Sequence, residues 1–257
     1  MRAVIWLASL GILVFSSCMP KWRLVWSDEF RKDGLPNRRF WNYEKGFVRN
    51  FEEQEYKRAR LENSRVESGK LIIESRLEED VNSYLTSASL ITRNKKEFLY
   101  GRIEVRAKLP TGIGTWPAIW MLSKKKSKSG LPIGEIDIME NVGYDPDVIH
   151  GTIHINDAND QIIISKGGKT KVFAPYENFH VYSLQWSPDS LSFFVDDRNY
   201  FTYRKKEVGN EYWVFDDPHY LLINLAVGGS WGGQRGVDFR IFPQQLVIDY
   251  VRYYKWK

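Results

Sequence analysis

The chain has 257 residues, 43% of them hydrophobic and 27% charged, a balance that excludes intrinsic disorder and allows one large domain with a sizeable core. Its formal charge of +5 is scattered along the chain, so a nucleic-acid surface is not expected. The 10 Trp, 14 Tyr and 14 Phe favour sheet over helix.

The first residues stand apart from the rest. Arg2 precedes "AVIWLASLGILVF", an apolar run too short for an ordinary membrane span, and "SSCMP" follows. A charged start, a short apolar core and small residues make a secretory signal peptide. The single cysteine, Cys18, directly follows two serines. That arrangement resembles the lipobox of bacterial lipoproteins, although Phe15 stands where Leu is usual. The reading is therefore a lipoprotein-type signal over 1–18, lipidation at Cys18, and one domain over 19–257. The protein is expected to be exported, as a cell-surface or periplasmic lipoprotein or else secreted. It would meet a membrane only through that anchor. One cysteine excludes an intrachain disulfide, so core packing must supply the stability.

After residue 20 the chain has no linker, repeat or low-complexity tract. In chain order, "GKLIIESRL" (69–77), "YGRIEVRAKLP" (100–110), "HVYSLQW" (180–186), "SLSFFVDDRNYFTY" (190–203), "HYLLINLAVGG" (219–229) and "LVIDYVRYYKW" (246–256) alternate as strands do. Asp196-Asp197 divides the fourth into a hairpin. The run "KKKSK" (124–128) reads as a solvated loop, and no convincing amphipathic helix exceeds about two turns. One all-β sandwich of two antiparallel sheets accounts for this pattern.

The stretch "GEIDIMENVG" (134–143) breaks its own alternation. Glu135 and Asp137 share a strand face, and Glu140 would point the other way. One extra residue, a β-bulge at Ile138-Met139, returns Glu140 to the acidic face. Glu135 and Glu140 would then lie roughly 13 Å apart at Cα. Their carboxyl groups could close to roughly 5–6 Å, the separation of a retaining glycosidase pair. Asp137 between them would raise a neighbour's pKa and share its proton. An amphipathic strand with an acidic outer face is the simpler alternative. The period slip, three like charges on one face and the abundance of Trp weigh against it.

"EIDIME" resembles the signature of glycoside hydrolase family 16, the laminarinase-like endoglucanases, in its bulged form. "SDEF" (27–30), "YGRIEVRAKLP", "GTWPAIWML" (114–122), "HGTIH" (150–154), "FHVYSLQWSPDSLSFFVDD" (179–197), "FDDPHYLLINLAVGGSWGG" (215–233) and "FPQQLVIDYVRYY" (242–254) follow in family order, covering about residues 22–256. The resemblance implies a concanavalin-like β-jelly-roll sandwich of two curved antiparallel sheets with a concave substrate cleft. It implies Glu135 as nucleophile, Glu140 as general acid/base and Asp137 as the carboxylate that tunes them. The reaction would be retaining endo-hydrolysis of β-1,3 or mixed β-1,3-1,4 glucans, with no cofactor for catalysis.

The same resemblance suggests substrate contacts at Trp116, Trp120, His154, Asn50 and Trp231. Core packing is the other reading of the first two, with Trp116 the better cleft candidate, and a structural role is the other reading of His154 and Asn50. Trp231 in "GGSWGG" reads as a loop aromatic. Glu29, the Gly69 carbonyl and Asp249 match positions of the family's structural Ca²⁺ site. Three departures border the cleft. Ser89 stands where family members commonly carry Arg, "INDANDQIIISKGGKTKVFAPYENF" replaces the usual loop after "HGTIH", and "GGSWGG" replaces Asn-Trp-Pro-Gly. Galactan hydrolysis (agarase, porphyranase or carrageenase type), transglycosylation and, lower, a non-catalytic glycan-binding lectin remain as alternatives. The expected partner is a polysaccharide and the expected state a monomer.

Overall fold

The computed structural model describes residues 22–78, 84–125, 133–157, 161–209 and 212–257. The signal segment and Cys18, and most of the 124–128 lysine run, lie outside them. Two sheets make a sandwich. The ten-stranded sheet runs Arg198–Arg204 (β15), Ser190–Val195 (β14), His180–Ser187 (β13), Gly101–Lys108 (β8), Gln244–Trp256 (β17), Lys70–Glu78 (β5), Tyr84–Ser87 (β6) and Gln54–Tyr56 (β3). Trp22–Asp28 (β1) pairs with β17, and Ser64–Glu67 (β4) with β5. The seven-stranded sheet runs Ile162–Lys171 (β12), Val148–Asn156 (β11), Ile133–Glu140 (β10), Thr115–Ser123 (β9), His219–Val227 (β16), Ser89–Ile91 (β7) and Asn42–Tyr43 (β2). Pairing is antiparallel except between β3 and β6.

The core lies between the sheets. Ile103, Val105 and Ala107 of β8 and Tyr182 and Leu184 of β13 meet Ile119, Met121, Ile136, Ile153, Leu221 and Ile223 from the other sheet. Each is one parity of an alternating strand, which is why the sequence pattern located these strands. The Asp196-Asp197 turn closes the β14–β15 hairpin with both residues at positive φ, 49° and 63°. That is the primed-turn geometry that follows strand twist.

Two segments differ from the sequence reading. Residues 162–171, expected as loop, form the edge strand β12, paired along β11 from Val148↔Lys171 to Asn156↔Ile162. Its glycines mark close packing here. A Cβ on Gly168 would sit 2.6 Å from the Phe201 side chain, and one on Gly167 would sit 2.8 Å from the Gly151 carbonyl. "GGSWGG" contains one helical turn, Gly229–Gly232 (α1), entered through Gly228 and Gly229 at φ 70° and 72°. Only glycine adopts that pair of angles without strain.

Candidate active site

The seven-stranded sheet turns its other face away from the core, and the register fixes what stands on it. Directly paired residues share a face. Three rows cross the sheet: His154–Glu135–Leu122–Tyr220, Thr152–Asp137–Trp120–Leu222 and His150–Glu140–Ala118–Asn224. The third row meets the second only because β10 slips. Asp137 pairs with Trp120, yet Met139 pairs with Ile119 and Glu140 with Ala118, leaving Ile138 without a partner in that ladder. The bulge expected at Ile138-Met139 is present. Both side chains of the bulge are fully buried in the core, a burial worth about 1.5–3 kcal/mol each. That burial pins the slip and holds Glu135, Asp137 and Glu140 on one face.

Burial and mutual repulsion set the protons on this face. Asp137 is buried, and its pKa is driven well above the usual carboxylate range by desolvation, then by the charges of Glu135 and Glu140. A protonated Asp137 hydrogen-bonds to Glu135. His154 Nε2 lies 3.3 Å from Asp137 Oδ2, and one polar atom each of Glu135, Asp137 and His154 fall within 4.8 Å of one another. Burial lowers the pKa of His154, so it is neutral in this setting. Glu140 is raised to about 7, mainly by desolvation and further by Glu135, against the opposing hydrogen bond from Trp116. That bond runs from Trp116 Nε1 to Glu140 Oε1 at 3.0 Å.

The structure brings four of the five expected substrate residues directly to this face. Trp116 touches Glu140. Trp231, on α1, packs edge-on against Trp116 at 5.6 Å. His154 touches Asp137. Trp120 stands opposite Asp137 but is only 7% exposed, with its Nε1 donating to Asn224 Oδ1 at 2.7 Å and the Arg49 guanidinium 4.9 Å over its ring. It is thus a covered floor. Asn50 sits one step out, where its carbonyl accepts from Ser230 N at 2.9 Å, beside Trp231.

Several residues here were not singled out from sequence. His150 pairs with Glu140 in the ladder and meets the Trp231 ring edge-on at 5.0 Å. Glu52, 8% exposed, accepts from Gln54 Nε2 at 2.7 Å, Tyr56 Oη at 3.0 Å and Asn50 Nδ2 at 3.4 Å. Tyr56 Oη in turn accepts from Asn224 Nδ2 at 3.0 Å, so a chain of hydrogen bonds joins Trp120 to Asn50. The alternation Glu52, Gln54, Tyr56 was the available signal. Arg49 comes from the 44–52 loop, ion-paired to Glu44, whose other oxygen accepts from Ser89 Oγ at 2.6 Å. An arginine therefore reaches the region of Ser89 from a different part of the chain.

The calcium expectation meets competition. Arg252 donates to both oxygens of Glu29 at 2.9 Å, and Arg106 pairs with Asp249 at 2.5 Å. Ca²⁺ needs six to eight oxygen ligands. Both expected carboxylates are already matched by guanidinium groups, so as arranged they do not fit the ion. Glu29 also lines a concavity with Phe30, Trp41 and Arg58. That concavity contains no residue of the carboxylate rows.

A sandwich that presents two carboxyl groups flanking a third, one of them protonated near neutrality and ringed by aromatic side chains, defines a glycoside hydrolase. The family model for "Glycosyl hydrolases family 16" matches residues 51–252, and the chain belongs to that family. It is 47% identical to a β-glucanase of Rhodothermus marinus, over 92% of this chain and 86% of that one. It is 35% identical to glucan endo-1,3-β-glucosidase A1 of Niallia circulans, over 90% of this chain and 38% of that one. The X-ray structure of the Rhodothermus marinus laminarinase superposes with a TM-score of 0.85 at 46% identity, covering 93% of this chain and 99% of that one.

Proposed function

We propose that this protein is a retaining endo-β-glucanase that cuts β-1,3 or mixed β-1,3-1,4 glucans. The observation that carries this reading is the slip in β10, which sets Glu140 beside Glu135 and Asp137 while burial keeps its proton. Similarity to β-glucanases and laminarinases supports the substrate class.

In this reading Glu135 attacks the anomeric carbon. The glycosidic C–O bond breaks, and Glu140 gives its proton to the departing oxygen. The sugar is left as an ester on Glu135. Glu140, now ionised, takes a proton from water, and the resulting hydroxide displaces Glu135 with net retention. Asp137 holds its proton against Glu135 and lowers the cost of three adjacent carboxyl groups. His154 braces Asp137, and Trp116 orients Glu140. Trp231 and Asn50 line the path of the sugar chain, and Trp116, itself buried, backs Glu140 and Trp231. Export, with lipidation at Cys18, would place this activity at the cell surface on a polymer too large to import.

Product analysis tests the reading. The signal-less protein should release short oligosaccharides from laminarin or barley mixed-linkage glucan and leave agarose intact. Glu135→Gln should abolish the release. Cleavage of agarose alone would move the protein to galactan hydrolysis, and binding without cleavage of any polymer would support a lectin.

A further inference from the structure

The 46–52 loop carries a feature that the catalytic reading does not use. Phe51 is 96% exposed, Phe47 69% and Val48 40%. Asn50 and Phe51 occupy consecutive left-handed conformations, φ 57° and 56°. A bulky residue pays for that geometry on the order of 1 kcal/mol or more, and such strain persists where surroundings over-determine it. In the free protein Phe51 gains no burial in return.

The surroundings do over-determine it. Arg49 is tied to Glu44 and lies over Trp120. Glu52 N donates to the Arg49 carbonyl at 3.1 Å, Ser230 N to the Asn50 carbonyl at 2.9 Å and Glu53 N to the Val227 carbonyl at 2.9 Å. The Glu52 carboxylate holds Asn50, Gln54 and Tyr56. The turn is a fixed pedestal that presents one aromatic ring to solvent.

Its position follows from the same contacts. Arg49 covers Trp120, which stands one strand from Asp137. Asn50 meets Ser230, next to the Trp231 that packs on Trp116, the partner of Glu140. The loop therefore stands beside the carboxylate rows on the β9–β16 side, opposite β11, continuous with the aromatic wall of the site. A chain passing over the carboxylates in that direction meets the loop that carries Phe51. A ring exposed in this way, with both faces open, suits the apolar face of a pyranose.

We propose that Phe51 is the stacking platform of an outer subsite that grips a sugar of the same β-glucan chain at a distance from the scissile bond. The platform rests on the β-glucanase reading. It makes the enzyme favour long chains over oligosaccharides too short to span from Glu135 to Phe51.

The test compares the wild type, Phe51→Ala and Phe51→Trp on laminarin and on a short laminari-oligosaccharide, with thermal unfolding as a check on folding. The ratio of kcat/KM for polymer to that for oligosaccharide should fall about threefold to tenfold in Phe51→Ala, through KM. Phe51→Trp should restore it. An inactive Glu135→Gln background should show the same loss of laminarin affinity on adding Phe51→Ala. An unchanged ratio, or equal losses on both substrates, would overturn the proposal. Failure of the wild type to cut any β-glucan overturns the glucanase reading instead, and shows before any variant is compared.

Discussion

Glu140 holds its proton near neutrality because desolvation and the Glu135 charge outweigh the Trp116 hydrogen bond. The sign of each effect gives a pH prediction. The acid works while protonated, so kcat/KM should fall as pH rises through about 7. The Trp116 bond stabilises the ionised form, and its removal raises the pKa further. In Trp116→Phe the alkaline limb of the pH profile should move up by roughly one unit, the value of a hydrogen bond to a charged group. A limb that stays put or moves down would show that Trp116 does not set this proton. At this scale the three acids were legible because their spacing breaks the strand period. Arg49, Glu52 and His150 were not. Arg49 and Glu52 act through contacts remote in sequence, with Trp120 and at the β3–β6 pairing, while the role of His150 depends on the bulge that brings Glu140 opposite it.

Strands whose two faces differ were read well. β8 and β14 alternate between core and outside, and β16, apolar but for His219 and Asn224, has all nine residues buried. β12 was missed because it is an edge strand. Lys166, Lys169 and Lys171 keep its outer edge polar, the charge pattern that protects an edge from pairing with another chain, and its glycines serve packing rather than turning. The helical turn α1 is too short for any periodicity to show. The bulge in β10 was the opposite case. An element-scale irregularity was visible because every other position of the strand obeyed the rule, and Ile138 and Met139 both had to find the core.

For the molecule as a whole, the two sheets leave one face for chemistry. β1 begins at Trp22, four residues after Cys18 in sequence, and among the described residues it pairs with β17. A lipid on Cys18 would tether the domain through the chain that precedes β1. Expressed in a bacterium with its full leader and fed a labelled fatty acid, the chain should carry label and sediment with membranes. Cys18→Ala should lose both. Label retained in that variant, or absent from the wild type, would remove the anchor. Among the described residues no helix is long and apolar enough to cross a membrane. The sandwich of two antiparallel sheets followed from strand spacing. The substrate-facing loops did not, because their conformations are set by contacts such as Ser230 with Asn50.

Azide rescue tests the division of labour between Glu135 and Glu140 most directly. Each is replaced by alanine and supplied with an activated β-glucoside oligosaccharide and azide, and the anomer of the glycosyl azide is read by NMR. Azide should replace the nucleophile in Glu135→Ala and give the α-azide by a single inversion. In Glu140→Ala it should trap the glycosyl-enzyme and give the β-azide. Exchanged anomers would reverse the two roles, and an α-azide from both variants would contradict the covalent intermediate on Glu135.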